Sequence, residues 1–216
     1  MNSNTVHSKP DALIFDMDGT LWDAVETYTL AWNQFFDRND IPKALKKTDL
    51  DALMGLEESV FLQKVLPEFS AEKRSALYEE VIQIQYDLID NIGGSIYEGV
   101  LEQMPALALK YKLFIVSNCP EFTIKHFMRF AKIEALISDS IAHGQNYRPK
   151  HKNISELIAR HKLKSAVYIG DTDSDFRQSK LSGIPFVFMS YGFGNSEEYA
   201  NRFDSFNEFA TYFLNH

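Results

Sequence analysis

Leu13-Ile14-Phe15-Asp16-Met17-Asp18-Gly19-Thr20-Leu21-Trp22-Asp23 is the stretch whose reading decides the fold. Ala12 to Phe15 is an unbroken apolar run, the composition of a strand covered on both faces of a parallel sheet. It runs straight into two carboxylates spaced i, i+2 and then Gly-Thr. Open α/β sheets gather their ligands beyond the carboxyl ends of such strands, so Asp16 and Asp18 stand where chemistry is expected. Taken alone, the stretch also reads as an Asp-Gly turn with helix-capping carboxylates.

After Asp23 the rhythm of the chain changes. Val25, Tyr28, Ala31 or Trp32, and Phe35 recur at helical spacing over residues 24–36. Residues 43–66 read as one or two short helices broken near Met54-Gly55-Leu56. A longer amphipathic helix is expected from Ser70 to about Asn91, ended by Gly93-Gly94. No strand is expected between residues 23 and 96. Beyond them, strands and helices alternate: a helix over 99–110, a strand at Leu113–Val116, a helix over 121–130, a short strand at 135–137, and a helix over 153–160. Then come a strand at Ala166–Ile169, a helix over 173–181, a strand at Ile184–Met189 and a closing helix near 206–214. Alternation of this kind implies βαβ units. The fold class is α/β: a doubly wound, Rossmann-like parallel sheet core (residues 1–22 and 97–216) with an inserted helical cap domain (residues 23–96).

Composition narrows the function. The 216 residues are 45% hydrophobic and 24% charged, with 17 Phe and 10 Tyr to fill a core. The formal net charge is −8, and the richest basic stretch, Arg148 to Lys152, is too short to be a nucleic-acid face. No apolar segment approaches the ~18 residues of a membrane span. The N-terminal stretch from Met1 to Asp11 is polar and lacks the apolar run of a signal peptide. One cysteine, Cys119, allows no intrachain disulfide, which fits the reducing cytosol. These features point to a cytoplasmic protein with no nucleic-acid or membrane partner. Monomer is the default, with a homodimer left open.

Three further strand ends carry polar residues that match Asp16 and Asp18. Ser117-Asn118 follows one strand, Arg148-Pro149-Lys150 precedes a helix, and Gly170-Asp171-Thr172-Asp173-Ser174-Asp175 follows another strand. Each alone reads as a cap, a turn or a solvated surface residue. Four of them, in order at one edge of one sheet, meet the criteria of an active site.

The constellation resembles the haloacid dehalogenase-like superfamily of phosphohydrolases, whose motifs run D-x-D-G-T, a strand-terminal Ser or Thr, a Lys, then G-D-x-x-x-D. The resemblance covers nearly the whole chain from Asp11 onward. The helical insert resembles the cap of the subgroup containing phosphoglycolate phosphatases and β-phosphoglucomutase. The resemblance implies a Mg2+ ion held by Asp16, Asp171 and the backbone carbonyl of Asp18, a hard-oxygen set suited to that ion. It makes Asp16 the nucleophile that forms an aspartyl-phosphate, and Asp18 the general acid and base. Ser117 and Asn118 would hold phosphoryl oxygens, and Lys150 would neutralise charge. Asp175 would orient Lys150 or a metal-bound water. Thr20, at the exit to the insert, is a candidate for phosphate binding and for coupling the cap to the site.

The motif lysine has two readings. K-x-x-N-I matches Lys150, whereas the Lys-Pro start found in many relatives aligns to Arg148, a poorer substitute for a compact ammonium. Lys150 is the choice. Asp18 occupies the position where true dehalogenases of this fold carry Tyr, which favours phosphate esters over carbon–halogen bonds. Cys119 beside the site reads as a small buried hydrophobe. Tyr28, Trp32 and Phe35 read as cap core, and Trp22 as the aromatic with the better chance of facing the cleft. The expectation is a phosphatase of a small phosphorylated metabolite. A sugar-phosphate mutase is its nearest competitor and an idle binding protein the next.

Overall fold

The computed structural model describes residues 9–215. The polar N-terminal segment therefore lies largely outside the described residues. At the centre is β1 (Ala12–Phe15), whose four residues are all wholly buried. It pairs in parallel with β4 (Lys112–Ser117) on one side and β6 (Ala166–Gly170) on the other, so that Ile14 lies opposite both Phe114 and Tyr168. The sheet extends through β5 (Ile137–Ala142) beyond β4, and through β7 (Phe186–Met189) and β8 (Asn201–Phe203) beyond β6. All of its pairings are parallel. Its spatial order, β5-β4-β1-β6-β7-β8, puts the reversal of winding at β1. That is where open α/β sheets make a crevice for ligands.

The two-residue side-chain period divides β1 between two cores. Leu13 and Phe15 enter one cluster with Leu113, Ile115, Val167 and Ile169, covered partly by α9 (Phe206–Leu214) through Phe206 and Phe209. Ala12 and Ile14 enter the other with Phe114 and Tyr168, beneath Ile154 and Leu157 of α7 (Lys150–Arg160). Both faces are dry, which is why the strand is apolar throughout and does not alternate.

Four helices lie between residues 23 and 96: α1 (Val25–Arg38), α2 (Lys47–Asp51), α3 (Glu58–Val65) and α4 (Ala71–Asn91). The Ser70 hydroxyl caps α4 by accepting from the Lys73 N–H at 3.3 Å. Trp32 of α1 stacks on Tyr78 of α4 at 5.7 Å with an interplanar angle of 10°, an aromatic contact that joins the two longest helices of the insert. The same hydrophobic cluster continues from Trp32 and Phe35 into Phe15, so the insert is packed onto the core.

The segment between residues 23 and 96 is not free of strands. β2 (Trp22–Asp23) pairs antiparallel with β3 (Ser95–Ile96), Trp22 opposite Ile96, where the chain leaves the core and returns to it. Two-residue strands are too short to show a period, so pattern reading passes over them. Near residue 135 the expected strand is displaced: Glu134–Leu136 is a 3-10 turn and β5 starts at Ile137. β5 and β8 are edge strands rich in polar residues, which hides them. β7 starts at Phe186, after Pro185, which has no N–H to give the ladder. The helix expected from residue 153 starts at Lys150, with Pro149 before it. The remaining α-helices among the described residues are α5 (Val100–Lys110), α6 (Thr123–Ala131) and α8 (Asp173–Leu181).

Candidate active site

The carboxyl ends of β1, β4 and β6 and the start of α7 converge at the crevice. Asp16, one residue past β1, is buried. Its Oδ1 accepts from the Met17 N–H at 2.8 Å and its Oδ2 from Lys150 Nζ at 2.9 Å. Lys150 is the first residue of α7 and is 3% exposed, so its ammonium meets carboxylates and not water. It donates a second bond, of 2.7 Å, to Asp175 Oδ1. Burial works to lower the Lys150 pKa, and the Asp16 and Asp175 carboxylates overcome it, holding the group charged well above its ordinary range. Arg148 lies on the surface and pairs with Glu156 at 3.0 Å. Of the two candidates for the lysine motif, only Lys150 touches Asp16.

Asp171 follows β6 and is also buried. Its Oδ1 accepts from Thr20 Oγ1 at 3.2 Å and its Oδ2 from the Phe193 N–H at 2.8 Å. Thr20 is therefore engaged with a carboxylate rather than open to a cleft. Asp175 Oδ2 takes the Thr172 N–H at 3.1 Å and the Thr172 hydroxyl at 2.7 Å, closing the N-terminal box of α8. One ammonium thus faces three buried carboxylates whose oxygens lie within 4.8 Å of one another. Burial pushes the Asp171 pKa well up, and the neighbouring Asp175 and Asp16 charges add to it. Burial raises Asp16 too, against the pull of Lys150. A hard divalent cation would relieve this excess negative charge, and the all-oxygen donor set suits Mg2+. The glycines beside the cluster show how tightly it is packed. A Cβ on Gly19, whose φ is +80°, would lie 2.2 Å from Asp171 Oδ2, and one on Gly192 would lie 2.3 Å from Asp171 Cβ.

Asp18 stands apart from this cluster and faces the insert. Its Oδ1 accepts from Tyr28 Oη of α1 at 2.8 Å and from Trp22 Nε1 at 3.0 Å. Burial raises its pKa to about 7, partly opposed by the Tyr28 hydrogen bond. The ring of Tyr28 is buried in the core cluster as expected, but its phenol is also a partner of Asp18 and it lines a cavity above that residue, as does Trp32. Phe35 is wholly buried core. Trp22 does not face the cleft; it is fully buried against Phe127, ring centroids 4.7 Å apart, and reaches Asp18 only through its indole N–H.

Ser117, the last residue of β4, is buried, and hydrogen bonding to it lowers the Asp16 pKa, the smallest of the effects on that group. Asn118 borders both the cavity over Asp18 and the cleft over Lys150. The Cys119 thiol is pushed well above its ordinary range by burial and then by the Asp18 and Asp16 charges, which leaves it an inert thiol. Asp173 is in the first turn of α8 and pairs with Arg177. The loop after β7 carries site residues that the sequence pattern did not single out. Its Phe193 N–H holds Asp171, and Tyr191 Oη donates to the Thr20 carbonyl at 2.7 Å. The two glycines of Tyr191-Gly192-Phe193-Gly194 after a buried strand were the available signal.

The haloacid dehalogenase-like hydrolase family model matches residues 13–189, from β1 to the end of β7. A phosphoglycolate phosphatase of Colwellia psychrerythraea is 26% identical, over 92% of this chain and 94% of its own. One from Rhodospirillum rubrum is 23% identical over 85% and 81%. Among solved structures, a phosphoglycolate phosphatase predicted in Haemophilus somnus superposes with a TM-score of 0.82 at 20% identity, covering 95% of this chain and 99% of that one. A haloacid dehalogenase-like hydrolase from Streptococcus pneumoniae superposes with a TM-score of 0.81 at 19% identity, covering 94% and 98%. With a carboxylate pair after the central strand and a buried lysine and acidic cluster beside it, the chain belongs to the haloacid dehalogenase-like hydrolase family.

Proposed function

We propose that this hydrolase is a Mg2+-dependent phosphatase of a small phosphorylated metabolite, working in the cytoplasm through an aspartyl-phosphate on Asp16. The observation that carries the reading is the division of labour between two carboxylates. Asp16 is paired with an ammonium, whereas Asp18 holds its proton up to about 7 and is bonded to the insert. Neighbouring acids whose environments differ in this way suit a nucleophile and a proton donor. The curated relatives named as phosphoglycolate phosphatases support the reaction class.

In this reading an Asp16 carboxylate oxygen attacks phosphorus. The bond from phosphorus to the ester oxygen breaks, its electron pair goes to that oxygen, and Asp18 supplies the proton. Asp18, now ionised, takes a proton from water as the water attacks the phosphoenzyme, and Asp16 leaves as a carboxylate. Ser117, with backbone N–H groups near Met17 and Asn118, holds phosphoryl oxygens, while Lys150 keeps Asp16 ionised and in place. Asp16, Asp171 and the backbone carbonyl of Asp18 would hold Mg2+, with Asp175 orienting Lys150. When bound, the ion supplies positive charge against the phosphoryl oxygens. The core would comprise residues 1–22 and 97–216, and the cap residues 23–96 would shield the site from water.

The test is phosphate release from p-nitrophenyl phosphate with Mg2+, with EDTA, and in Asp16→Asn. Metal-dependent release that vanishes in the variant is expected. A trapped phosphoenzyme without continuous release would move the assignment to a mutase, and neither would remove the catalytic reading.

A further inference from the structure

The cavity above Asp18 has the chemistry to choose a substrate, and the choice differs from the one the relatives' names suggest. The proton donor faces the ester oxygen, so the leaving group has to lie on the side of Asp18, and the phosphoryl group on the side of Lys150. These two sides are different in kind. The cleft over Lys150 also carries His143 and Arg177. The cavity over Asp18, of ≈ 70 Å³, is walled by Tyr28, Trp32, Leu50, Phe61 and Tyr78, and among the described residues no Lys, Arg or His lines it. It has room for a short leaving group of a few non-hydrogen atoms. Its one charged residue besides Asp18 is Glu58, the first residue of α3. Burial raises the Glu58 pKa, the charge of His143 is the only effect opposing it, and the carboxylate enters no ion pair among the described residues. A half-buried carboxylate without a partner, in an aromatic wall, is a receptor for a cation. A carboxylate-bearing leaving group would meet the Glu58 carboxylate there and no counter-charge, a repulsive element that rejects it.

We infer that the cavity selects phosphate esters of short alcohols that carry a positively charged amino group, with Glu58 as the residue that reads the charge, and that it disfavours esters carrying a carboxylate. The inference rests on the phosphatase reading and names the substrate class of that site.

The experiment compares kcat/KM for phosphoethanolamine, its neutral counterpart propyl phosphate, and phosphoglycolate, with p-nitrophenyl phosphate as the reference for the chemistry itself. The amino ester is expected to exceed the neutral one by about tenfold, the effect of one charge-assisted contact, with phosphoglycolate below both. In Glu58→Gln the ratio of amino to neutral ester should fall toward one. A purely structural role for Glu58 would lower both alike and leave the ratio unchanged, which overturns the inference. Preference for phosphoglycolate also overturns it, as does turnover of p-nitrophenyl phosphate alone, and both outcomes leave the phosphatase reading standing. Inactivity toward all four esters removes that reading and the inference with it.

Discussion

Tyr28, on the first helix of the insert, donates a 2.8 Å hydrogen bond to Asp18 Oδ1, on the loop that leaves the central strand. The proton-holding carboxylate is thereby tied to the insert, and its position depends on how the insert sits. Burial and the Asp18 charge keep the phenol protonated well above its ordinary range, so it acts as a donor throughout the usable pH range.

Tyr28→Phe should therefore cost activity more than stability. The variant keeps the ring in place and Trp22 still holds the same oxygen. Loss of one net hydrogen bond predicts about 1 kcal/mol of stability. A carboxylate freed to leave its productive position predicts a fall in kcat of roughly tenfold, with KM less affected. Thermal melting beside steady-state kinetics on p-nitrophenyl phosphate separates the two. A change in KM alone would argue that Tyr28 serves only to line the cavity.

Lys150→Met tests the balance of the buried charges. Among the described residues the ammonium is the one cation in contact with Asp16 and Asp175, and Asp171 adjoins them. Removing it leaves carboxylates uncompensated in the interior, a loss of roughly 3–5 kcal/mol. The deficit should shrink as pH falls, because protonating the acids removes the repulsion. Lys150→Arg keeps the charge, but its planar fork cannot occupy the space of a compact ammonium, so stability should return only in part. Urea unfolding in EDTA at pH 5 and pH 8 checks both variants.

Asp18→Asn gives a signed pH dependence. A carboxyl whose pKa stands at about 7 in the folded chain and at 3.8 as an ordinary group binds its proton more tightly when folded. Its contribution to stability is full at low pH, is lost as pH rises between those values, and stays lost above them. The amide has no charge to bury. The variant should therefore gain melting temperature relative to the parent as pH rises from about 4 to about 7, with no further gain beyond. A difference independent of pH in metal-free buffer would mean that Asp18 is not strained by burial.

Much of the fold was legible in the chain because the informative signals were local. β1 is apolar throughout since both of its faces are covered, and that one pattern implied a parallel sheet with its ligands beyond Phe15. Gly170 to Asp175 carried its own turn and helix start, and α8 begins at Asp173 as its spacing predicts. Partnerships across the fold were not legible. Nothing local to Tyr28 says that it meets Asp18, ten residues away on another element, or that the Phe193 N–H closes on Asp171. An aromatic at helical spacing is usually core, and Tyr28 satisfies that pattern with its ring while its hydroxyl does something else. Short edge strands were missed because two or three residues hold no period.

The metal reading can be tested without turnover. Three buried carboxylates with one ammonium should be stabilised by Mg2+, because the ion binds the folded chain and not the unfolded one. At a hundred times its dissociation constant this predicts about 2.7 kcal/mol, visible as a rise in melting temperature over EDTA. Gly19→Ala should abolish most of that rise. Its backbone sits at φ +80°, where an L side chain is strained, and its new Cβ would fall 2.2 Å from Asp171 Oδ2. The carboxylate would have to move, and its bonds to Thr20 and Phe193 hold it where it is. Asp171→Asn should lose the metal response while gaining stability in EDTA, since it removes a charge that burial disfavours. Equal Mg2+ responses in the parent and in both variants would place the ion away from Asp171, and the assignment of this cluster as the metal site would then fail.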